Sequence, residues 1–143
     1  MAYKLFELPS RTLVSGEKTL KLSRPILMGI LNTTPDSFSE DSSFFEYDDA
    51  LSEARKIIAD GADWLDIGGE SSGPGSTEVP LEEELRRVIP LIKEVRSESD
   101  IWISVDTWKA EVARQSLDAG ADAVNDVSAL RADKEMAGVI AEY

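Results

Sequence analysis

The fold is decided by the stretch Gly61-Ala-Asp-Trp-Leu-Asp66, which combines a helix-ending glycine, a short connection and an apolar strand. The same order of residue types returns as Gly120-Ala-Asp-Ala-Val-Asn125. A chain that alternates strand and helix in this way builds right-handed βαβ units, so its strands form a parallel sheet. The two segments therefore predict an α/β protein.

Apolar runs and stripes extend this alternation over most of the chain. A continuous apolar run predicts a strand that is buried on both faces. Apolar residues at helical spacing indicate the helices, and Pro90 is expected to kink the second of them. The predicted hairpin pairs residues 4–8 with 19–22 around a turn at 15–18, and the predicted strands are 26–31, 64–67, 101–105 and 123–124. The first predicted helix starts at 48, and the second carries an apolar stripe over 81–95. The third includes 112–117, and the fourth spans 132–143.

A polar side chain closes each predicted strand. Asparagine or aspartate is expected at the four carboxyl ends, which are Asn32, Asp66, Asp106 and Asn125. Parallel strands bring these ends to one edge of the sheet, where α/β folds bind ligands. One aspartate in such a place is usually only a helix cap, but four polar ends in four units predict a shared binding site.

Composition limits the chemistry of that site. The 143 residues carry 28 acidic and 15 basic side chains, and the net charge of −13 disfavours binding to nucleic acid or to a membrane surface. Histidine and cysteine are absent, which excludes disulfides, thiolate metal sites and Ser-His-Asp catalysis. With no apolar leader and no membrane-spanning run, the sequence predicts a soluble, cytoplasmic protein.

The length predicts part of a barrel. A complete (β/α)8 TIM barrel needs roughly 250 residues, or about 31 per unit. We therefore expect an N-terminal hairpin at residues 1–24 and roughly the first four βα units of such a barrel at residues 25–143. A complete doubly wound fold of four units is the alternative, but the sequence lacks the G-x-G-x-x-G and Walker A loops of its nucleotide-binding forms.

Four strings at the strand ends carry a resemblance to one enzyme family. Met28-Gly-Ile-Leu-Asn-Thr-Thr-Pro-Asp-Ser-Phe-Ser39 resembles the first signature of the dihydropteroate synthases. In the same order as in that family, three further strings follow it, Asp66-Ile-Gly-Gly-Glu-Ser71, Ile103-Ser-Val-Asp-Thr107 and Asn125-Asp-Val127. The resemblance spans residues 25–130, and four strings in register are far more specific than any one of them.

The resemblance implies an activity and a set of small-molecule partners. The family joins 6-hydroxymethyl-7,8-dihydropterin diphosphate to p-aminobenzoate, which gives 7,8-dihydropteroate and diphosphate in folate biosynthesis. Mg²⁺ is the implied cofactor, and the implied assembly of the intact enzyme is a homodimer. Neither nucleic acid nor a membrane is an implied partner.

The resemblance also implies a role for single residues. Asn32 would bind Mg²⁺ at the diphosphate, and Ser72, where the family usually has threonine, would place a hydroxyl near the same group. The pterin ring would hydrogen-bond to Asp106 and Asn125 and would contact two apolar side chains. These two apolar side chains are Ile30 and Val127. The loops that fold over p-aminobenzoate would contain Phe38 and Pro74.

Three features depart from the family pattern. Position 73 is glycine where the family usually has arginine, and the change removes donors suited to an anion. Trp108 stands where a small residue is commoner, and we expect it to pack against its surroundings. The family also draws an Asp, a Lys and an Arg-x-His motif from the second half of its barrel, so we expect residues 1–143 alone to be inactive.

Two further interpretations stay open at this stage. A non-catalytic or diverged pterin- or folate-binding module would explain Gly73. The related methyltetrahydrofolate methyltransferase barrel is another enzyme class, although its pattern lacks the Thr-Pro-Asp-Ser-Phe loop found here at 34–38.

Overall fold

A computed structural model describes residues 11–33, 43–71 and 77–143 of the chain. Within these residues six strands and four helices follow one another in the predicted order of hairpin and βα units. The elements are β1 (Thr12–Ser15), β2 (Lys18–Lys21), β3 (Met28–Asn32), α1 (Ser43–Ala59), β4 (Trp64–Gly68), α2 (Leu81–Glu98), β5 (Trp102–Asp106), α3 (Ala110–Asp118), β6 (Ala123–Asn125) and α4 (Met136–Glu142).

The N-terminal hairpin is present, but one of its strands differs from the prediction. β1 and β2 pair in antiparallel fashion, with Ser15 opposite Lys18. Gly16 in the two-residue turn has φ +55°, a value that glycine adopts without steric cost. Because so tight a turn pairs the residues directly beside it, the partner of β2 is β1 rather than the predicted 4–8, which lies outside the described residues.

The four remaining strands form one parallel sheet in the order β3-β4-β5-β6. Successive side chains of a strand point to opposite faces, and one face, here called the outer face, carries the core. There Leu31, Leu65, Ile67, Ile103 and Val105 pack against the apolar stripes of the first three helices. This is the α/β architecture that the repeated segments predict, with the helices covering the outer face.

The opposite, inner face of the sheet is more polar and more open. The prediction that β3 is buried on both faces is wrong, because only Leu31 on its outer face is buried, whereas Met28 and Ile30 on the inner face are 47% and 66% exposed. β3 is an edge strand of the described sheet, and no described element covers its inner side. Along β3, residues that alternate between the two faces therefore differ sharply in burial, whereas most residues of β4 and β5 are buried on both faces.

The repeated segments end two helices in the same way. Gly61 and Gly120 have φ +95° and +110°, in the left-handed region that favours glycine. In each case the glycine N–H donates to the carbonyl three residues back, at 3.1 and 3.0 Å, and the next N–H donates to the carbonyl five residues back, at 3.3 and 2.9 Å. This pair of bonds defines the Schellman helix ending, and it explains why the two segments share one pattern.

Helix boundaries differ from the sequence prediction at two places. α1 begins at Ser43 rather than at 48, since neither glycine nor proline interrupts residues 41–60. α4 begins at Met136 rather than at 132, and a turn precedes it in which the Asp133 carboxylate accepts the N–H of Glu135 at 3.0 Å. α2 continues through Pro90. None of the helices in the described ranges has the length and apolar character needed to cross a membrane.

Candidate functional site

Three polar side chains and one glycine form a row at the carboxyl edge of the sheet. The register places Asn32, Gly68, Asp106 and Asn125 side by side on four adjacent strands. A methyl group on Gly68 would lie 3.2 Å from the amide oxygen of Asn32 and 3.7 Å from a carboxylate oxygen of Asp106. These residues, here called the polar row, therefore present hydrogen-bonding groups to one shared space on the inner face.

Asp106 is the electrostatic centre of the polar row. Partial burial raises the pKa of its carboxyl group to about 6, and the negative charges of Asp66, Glu84 and Asp126 add to the effect. None of the described residues donates a hydrogen bond to it. Asp106 is thus still mainly ionised at neutral pH, and it can accept hydrogen bonds from a bound molecule.

Asp66 lies deeper in the sheet than the sequence analysis places it. The predicted strand end at Asp66 is wrong, because β4 continues to Gly68 and leaves Asp66 in mid-strand opposite Ser104. Asp66 is only 4% exposed, and its carboxylate accepts hydrogen bonds from the hydroxyl of Ser104 and from Nδ2 of Asn125, the latter at 3.0 Å. Asp66 therefore supports the polar row from below.

A cleft of about 220 Å³ opens next to Asp106. Trp108 and Val127 contribute apolar walls, and the side chain of Val127 is 61% exposed. Ile30, two residues before Asn32 and on the same inner face, is 66% exposed. The remaining lining residues are Glu70, Ser71, Glu84 and Thr107. The polar row is thus flanked by exposed apolar side chains that can contact a flat ring.

A buried ionic cluster that the sequence did not predict includes two of the residues that line this cleft. Lys109 pairs with Glu70 and Glu84, and Glu84, which is 1% exposed, also accepts a hydrogen bond from Thr107 at 2.7 Å. Burial alone would lower the pKa of Lys109, but its hydrogen bonds to the two glutamates outweigh this effect and raise the pKa. The signal in the sequence is Glu84 itself, a charged residue within the apolar stripe of α2.

This ionic cluster ties two loops together at the edge of the site. Glu70 follows β4, whereas Lys109 and Trp108 follow β5, and the ammonium group of Lys109 lies 4.7 Å from the centre of the Trp108 ring. The packing expected for Trp108 is therefore present. The loop residues Phe38, Ser72, Gly73 and Pro74 lie outside the described residues.

The arrangement suits a flat, polar ligand more than a metal ion held by protein groups alone. A carboxylate accepts two hydrogen bonds and an amide both donates and accepts, which matches the edge of a nitrogen heterocycle. The described residues contain no group of three or more acidic or other charged metal ligands. Asn32 can offer one neutral oxygen to a hard cation whose remaining ligands come from elsewhere.

The fold and the polar row define a class of α/β protein in which polar side chains gather at the carboxyl ends of parallel strands, the edge where such folds bind ligands. Residues 28–143 match the model of one family, described as pterin binding enzyme. The chain belongs to this family.

Named relatives and solved structures are similar to the chain over most of its length. It is 48% identical over 129 residues to a dihydropteroate synthase of Clostridium beijerinckii, covering 90% of the chain and 48% of the relative. The structure of dihydropteroate synthase from Xanthomonas albilineans with 4-aminobenzoic acid has a TM-score of 0.84 at 45% identity, covering 92% of the chain and 48% of that structure.

A further structure shows the same kind of match. Dihydropteroate synthase from Burkholderia cenocepacia, complexed with 7,8-dihydropteroate, has a TM-score of 0.79 at 44% identity and covers 92% of this chain and 42% of that one. The chain thus spans about half the length of the proteins it matches. Its four βα units correspond to half of the (β/α)8 barrel, as the sequence predicts.

Proposed function

We propose that the chain provides the pterin-binding part of a dihydropteroate synthase. The reaction is the condensation of 6-hydroxymethyl-7,8-dihydropterin diphosphate with p-aminobenzoate. The family match, the relatives named dihydropteroate synthase and the structures that hold 4-aminobenzoic acid or 7,8-dihydropteroate support this proposal. The proposed activity is that of the whole protein, and the chain spans about half the length of its relatives.

The observation that carries the proposal is the polar row. A pterin ring has ring N–H groups, an exocyclic amine and nitrogen acceptors in one plane. Asp106 would accept hydrogen bonds from the donors of the ring, and the amide of Asn125 would hydrogen-bond to the remaining polar atoms of the same ring edge. Ile30 and Val127, both exposed, would contact the flat faces of the ring. The row therefore matches the ring in chemistry as well as in position at the carboxyl edge.

Asn32 would serve the diphosphate end of the substrate. Its amide oxygen lies next to the space above Gly68 of β4. Asn32 lies on β3, which neighbours β4 on the side away from β5. A hard cation accepts such an oxygen, and the diphosphate would supply further oxygen ligands, so the residues present fit Mg²⁺. When bound, Mg²⁺ would neutralise charge on the leaving diphosphate. Ser72 would place its hydroxyl near the same group.

The chemical step would be a substitution at the exocyclic methylene of the pterin. The C–O bond to diphosphate breaks, the aniline nitrogen forms the new C–N bond, and the amine then loses a proton. The aniline is a free amine near neutral pH, so this step does not need a histidine as a strong base. Asp106 and Asn125 would hold the ring while positive charge develops on the methylene carbon. Phe38 and Pro74 would lie in the loops that enclose p-aminobenzoate.

Calorimetry with a pterin analogue tests the proposal on the complete natural protein. Asp106→Ala and Asn125→Ala should each weaken binding by about 1–3 kcal/mol, because each leaves polar ring atoms unpaired. Ser97→Ala on the exposed face of α2 is the control and should leave the affinity unchanged. Equal affinity in both site variants and in the wild type would refute a pterin site at the polar row.

Gly73 favours a second candidate function, a pterin-binding protein without synthase activity. The family usually has arginine there, and its loss removes donors for an anion. Gly73→Arg should raise the affinity for the pterin diphosphate or the turnover if the loop acts as it does in the family. Steady-state kinetics with both substrates measure this. Pterin binding without turnover in both forms would establish the binding-only function.

A further inference from the structure

We propose that Asp66 is a positioning residue that fixes which way the side-chain amide of Asn125 faces the ligand. It thereby selects the hydrogen-bonding pattern of the ring that the site accepts. The inference about the ligand rests on the proposed pterin site, whereas the inference about the amide itself concerns contacts within the chain.

The first step is the contact between the two side chains. Asp66 lies on β4 and Asn125 on β6, so the two meet across the intervening strand β5. The residue of β5 opposite Asp66 is the small Ser104. Asn125 is on the same face and aligns with Asp106, two residues after Ser104 on β5. Asn125 is exposed at the carboxyl edge of the sheet, whereas Asp66 is buried. A buried carboxylate thus supports an exposed amide.

The second step is the direction of each hydrogen bond in this network. Trp64 donates its indole N–H to the Ser104 hydroxyl oxygen at 2.8 Å, and an indole N–H can only donate. The single hydrogen of Ser104 is therefore used toward one carboxylate oxygen of Asp66. The other carboxylate oxygen accepts from Nδ2 of Asn125 at 3.0 Å. Both carboxylate oxygens of Asp66 thus accept hydrogen bonds, one from Ser104 and the other from Asn125.

The third step concerns the amide of Asn125. An ionised carboxylate has no hydrogen to donate, so the amide must turn its NH₂ group toward Asp66. Its carbonyl oxygen and its second N–H hydrogen are then left for the ligand. If the amide rotated by half a turn, its oxygen would face the carboxylate oxygen, and the acceptor offered to the ligand would be replaced by donors.

The consequence is a preference among rings of the same shape. A pterin carries an exocyclic amine, a donor, where a lumazine carries a carbonyl oxygen, an acceptor. A site that keeps the Asn125 oxygen available favours the donor of the pterin, because a mismatched edge leaves two polar groups unpaired. Asp66 would thus act on selectivity without touching the ring.

Asp66→Asn should reverse the amide. Since Trp64 still fixes the hydrogen of Ser104, the new amide must turn its oxygen toward Ser104 and its NH₂ group toward Asn125. Asn125 can then accept this bond only by presenting its own oxygen inward, which turns its NH₂ group toward the ligand. Asp66→Asn preserves the shape of the side chain and therefore replaces the hydrogen-bond acceptor that Asn125 presents to the ligand with donors.

The test is calorimetry of 6-hydroxymethylpterin and of the matching lumazine with the complete natural protein. We expect the wild type to prefer the pterin, and Asp66→Asn to lose at least about fivefold in pterin affinity while its lumazine affinity rises. Asn125→Ala should remove the discrimination, and adding Asp66→Asn to it should change nothing further. Ser104→Ala is the matched control, because it removes the other bond to Asp66 and should keep the preference for the pterin.

The outcomes separate this inference from the proposed function. Wild-type protein that binds no pterin would refute the pterin site. Pterin binding with an unchanged preference in Asp66→Asn would refute the positioning role.

A second measurement keeps the test decisive if Asp66→Asn does not fold. In nitrogen-15 NMR of the wild type, the side-chain NH₂ signals of Asn125, identified by their loss in Asn125→Ala, should show one hydrogen protected from exchange. A scalar coupling across the hydrogen bond to the Asp66 carboxyl carbon should also appear. Two hydrogens that exchange equally fast, without this coupling, would overturn the inference.

Discussion

At the residue scale, the ionised carboxyl group of Asp106 lowers the stability of the fold. Its carboxyl group has its pKa raised to about 6, first by burial and then by Asp66, Glu84 and Asp126, compared with 3.8 for the free group. A raised pKa in the folded state means that the protonated form stabilises the fold. This stability is complete below pH 3.8 and is lost as the pH rises through about 6.

We therefore expect Asp106→Asn to be more stable than the wild type at pH 7, by on the order of 1 kcal/mol once solvent screening is allowed for. The difference should shrink as the pH falls toward 4, because both side chains are then neutral. Urea unfolding of both proteins at pH 4, 5, 6 and 7 measures it. A difference that is constant over this range would show that the charge of Asp106 does not cause it.

Asn32 should affect ligand binding only through the metal. If its amide oxygen binds Mg²⁺ at the diphosphate, Asn32→Ala should weaken binding of the pterin diphosphate in the presence of Mg²⁺. Binding of a pterin without diphosphate should not change. Calorimetry with and without Mg²⁺ separates these effects, and equal losses under both conditions would make Asn32 a structural turn residue.

Two neighbouring glycines should respond differently to the same substitution. A methyl group on Gly68 would meet the exposed Asn32 side chain at 3.2 Å, which can move. On Gly69 it would lie 2.8 Å from Cγ of Glu84 and 2.9 Å from Cγ1 of Val88, both in the core. We expect Gly69→Ala to cost about 1–3 kcal/mol of stability.

Gly68→Ala should instead change stability little and weaken ligand binding, since it displaces two members of the polar row. Thermal unfolding and pterin calorimetry on both variants test the contrast. The interpretation of the row would be wrong if Gly68→Ala bound pterin as tightly as the wild type.

At the scale of elements, the repeated segments join each helix end to the neighbouring strands. The carboxylate of Asp63 accepts the N–H of Leu27 at 3.0 Å, and that of Asp122 accepts the N–H of Ile103 at 2.9 Å. Each glycine thus ends a helix, and the aspartate two residues later accepts a hydrogen bond from a neighbouring strand or from the residue directly before it. Asp122 also pairs with Lys18 of the hairpin, which ties that element to the sheet.

The helix-ending glycines give a matched pair for substitution. Nothing lies within 4 Å of a methyl group on Gly61, so Gly61→Ala should cost only the backbone strain, about 1–2 kcal/mol. On Gly120 the methyl group would lie 2.9 Å from Cγ of Arg96. The side chain of Arg96 is held in place, because it donates a hydrogen bond to the Gly120 carbonyl at 2.9 Å and forms an ion pair with Asp122.

Gly120→Ala should therefore cost more than Gly61→Ala, by about 1–3 kcal/mol. Chemical denaturation of the two variants beside the wild type provides the comparison. Equal losses would show that Arg96 adapts and that only backbone strain matters.

At the scale of the whole molecule, the inner face of the sheet sets the solution behaviour of the 143-residue chain. Met28 and Ile30 on the edge strand β3 are 47% and 66% exposed, and Leu27 beside them is 60% exposed. An edge strand with exposed apolar residues pairs readily with other chains. Expressed alone, residues 1–143 should self-associate in sedimentation velocity experiments.

A pair of lysine variants tests this explanation. Ile30→Lys should reduce the association, because it places a charge on the inner face. Val14→Lys, at a site that is 68% exposed on the hairpin, should have less effect. Wild-type residues 1–143 that remain monomeric at all concentrations would contradict the role of the inner face.

The sequence by itself determined the alternation of strands and helices, the helix-ending glycines and the polar ends at Asn32, Asp106 and Asn125. These features depend on local patterns, such as apolar periodicity and the backbone freedom of glycine, which the chain carries residue by residue. The family strings also lie on these strand ends, so the position of the candidate site could be predicted as well.

Only the tertiary structure decided which side chains meet. Asp66 sits below the polar row because the register between β4 and β5 pairs it with Ser104, and no local pattern determines the alignment of two strands far apart in the sequence. Lys109 meets Glu84 from another element, and the pKa of Asp106 depends on charges brought together by folding. Such contacts depend on distance in space, which the order of residues along the chain does not contain.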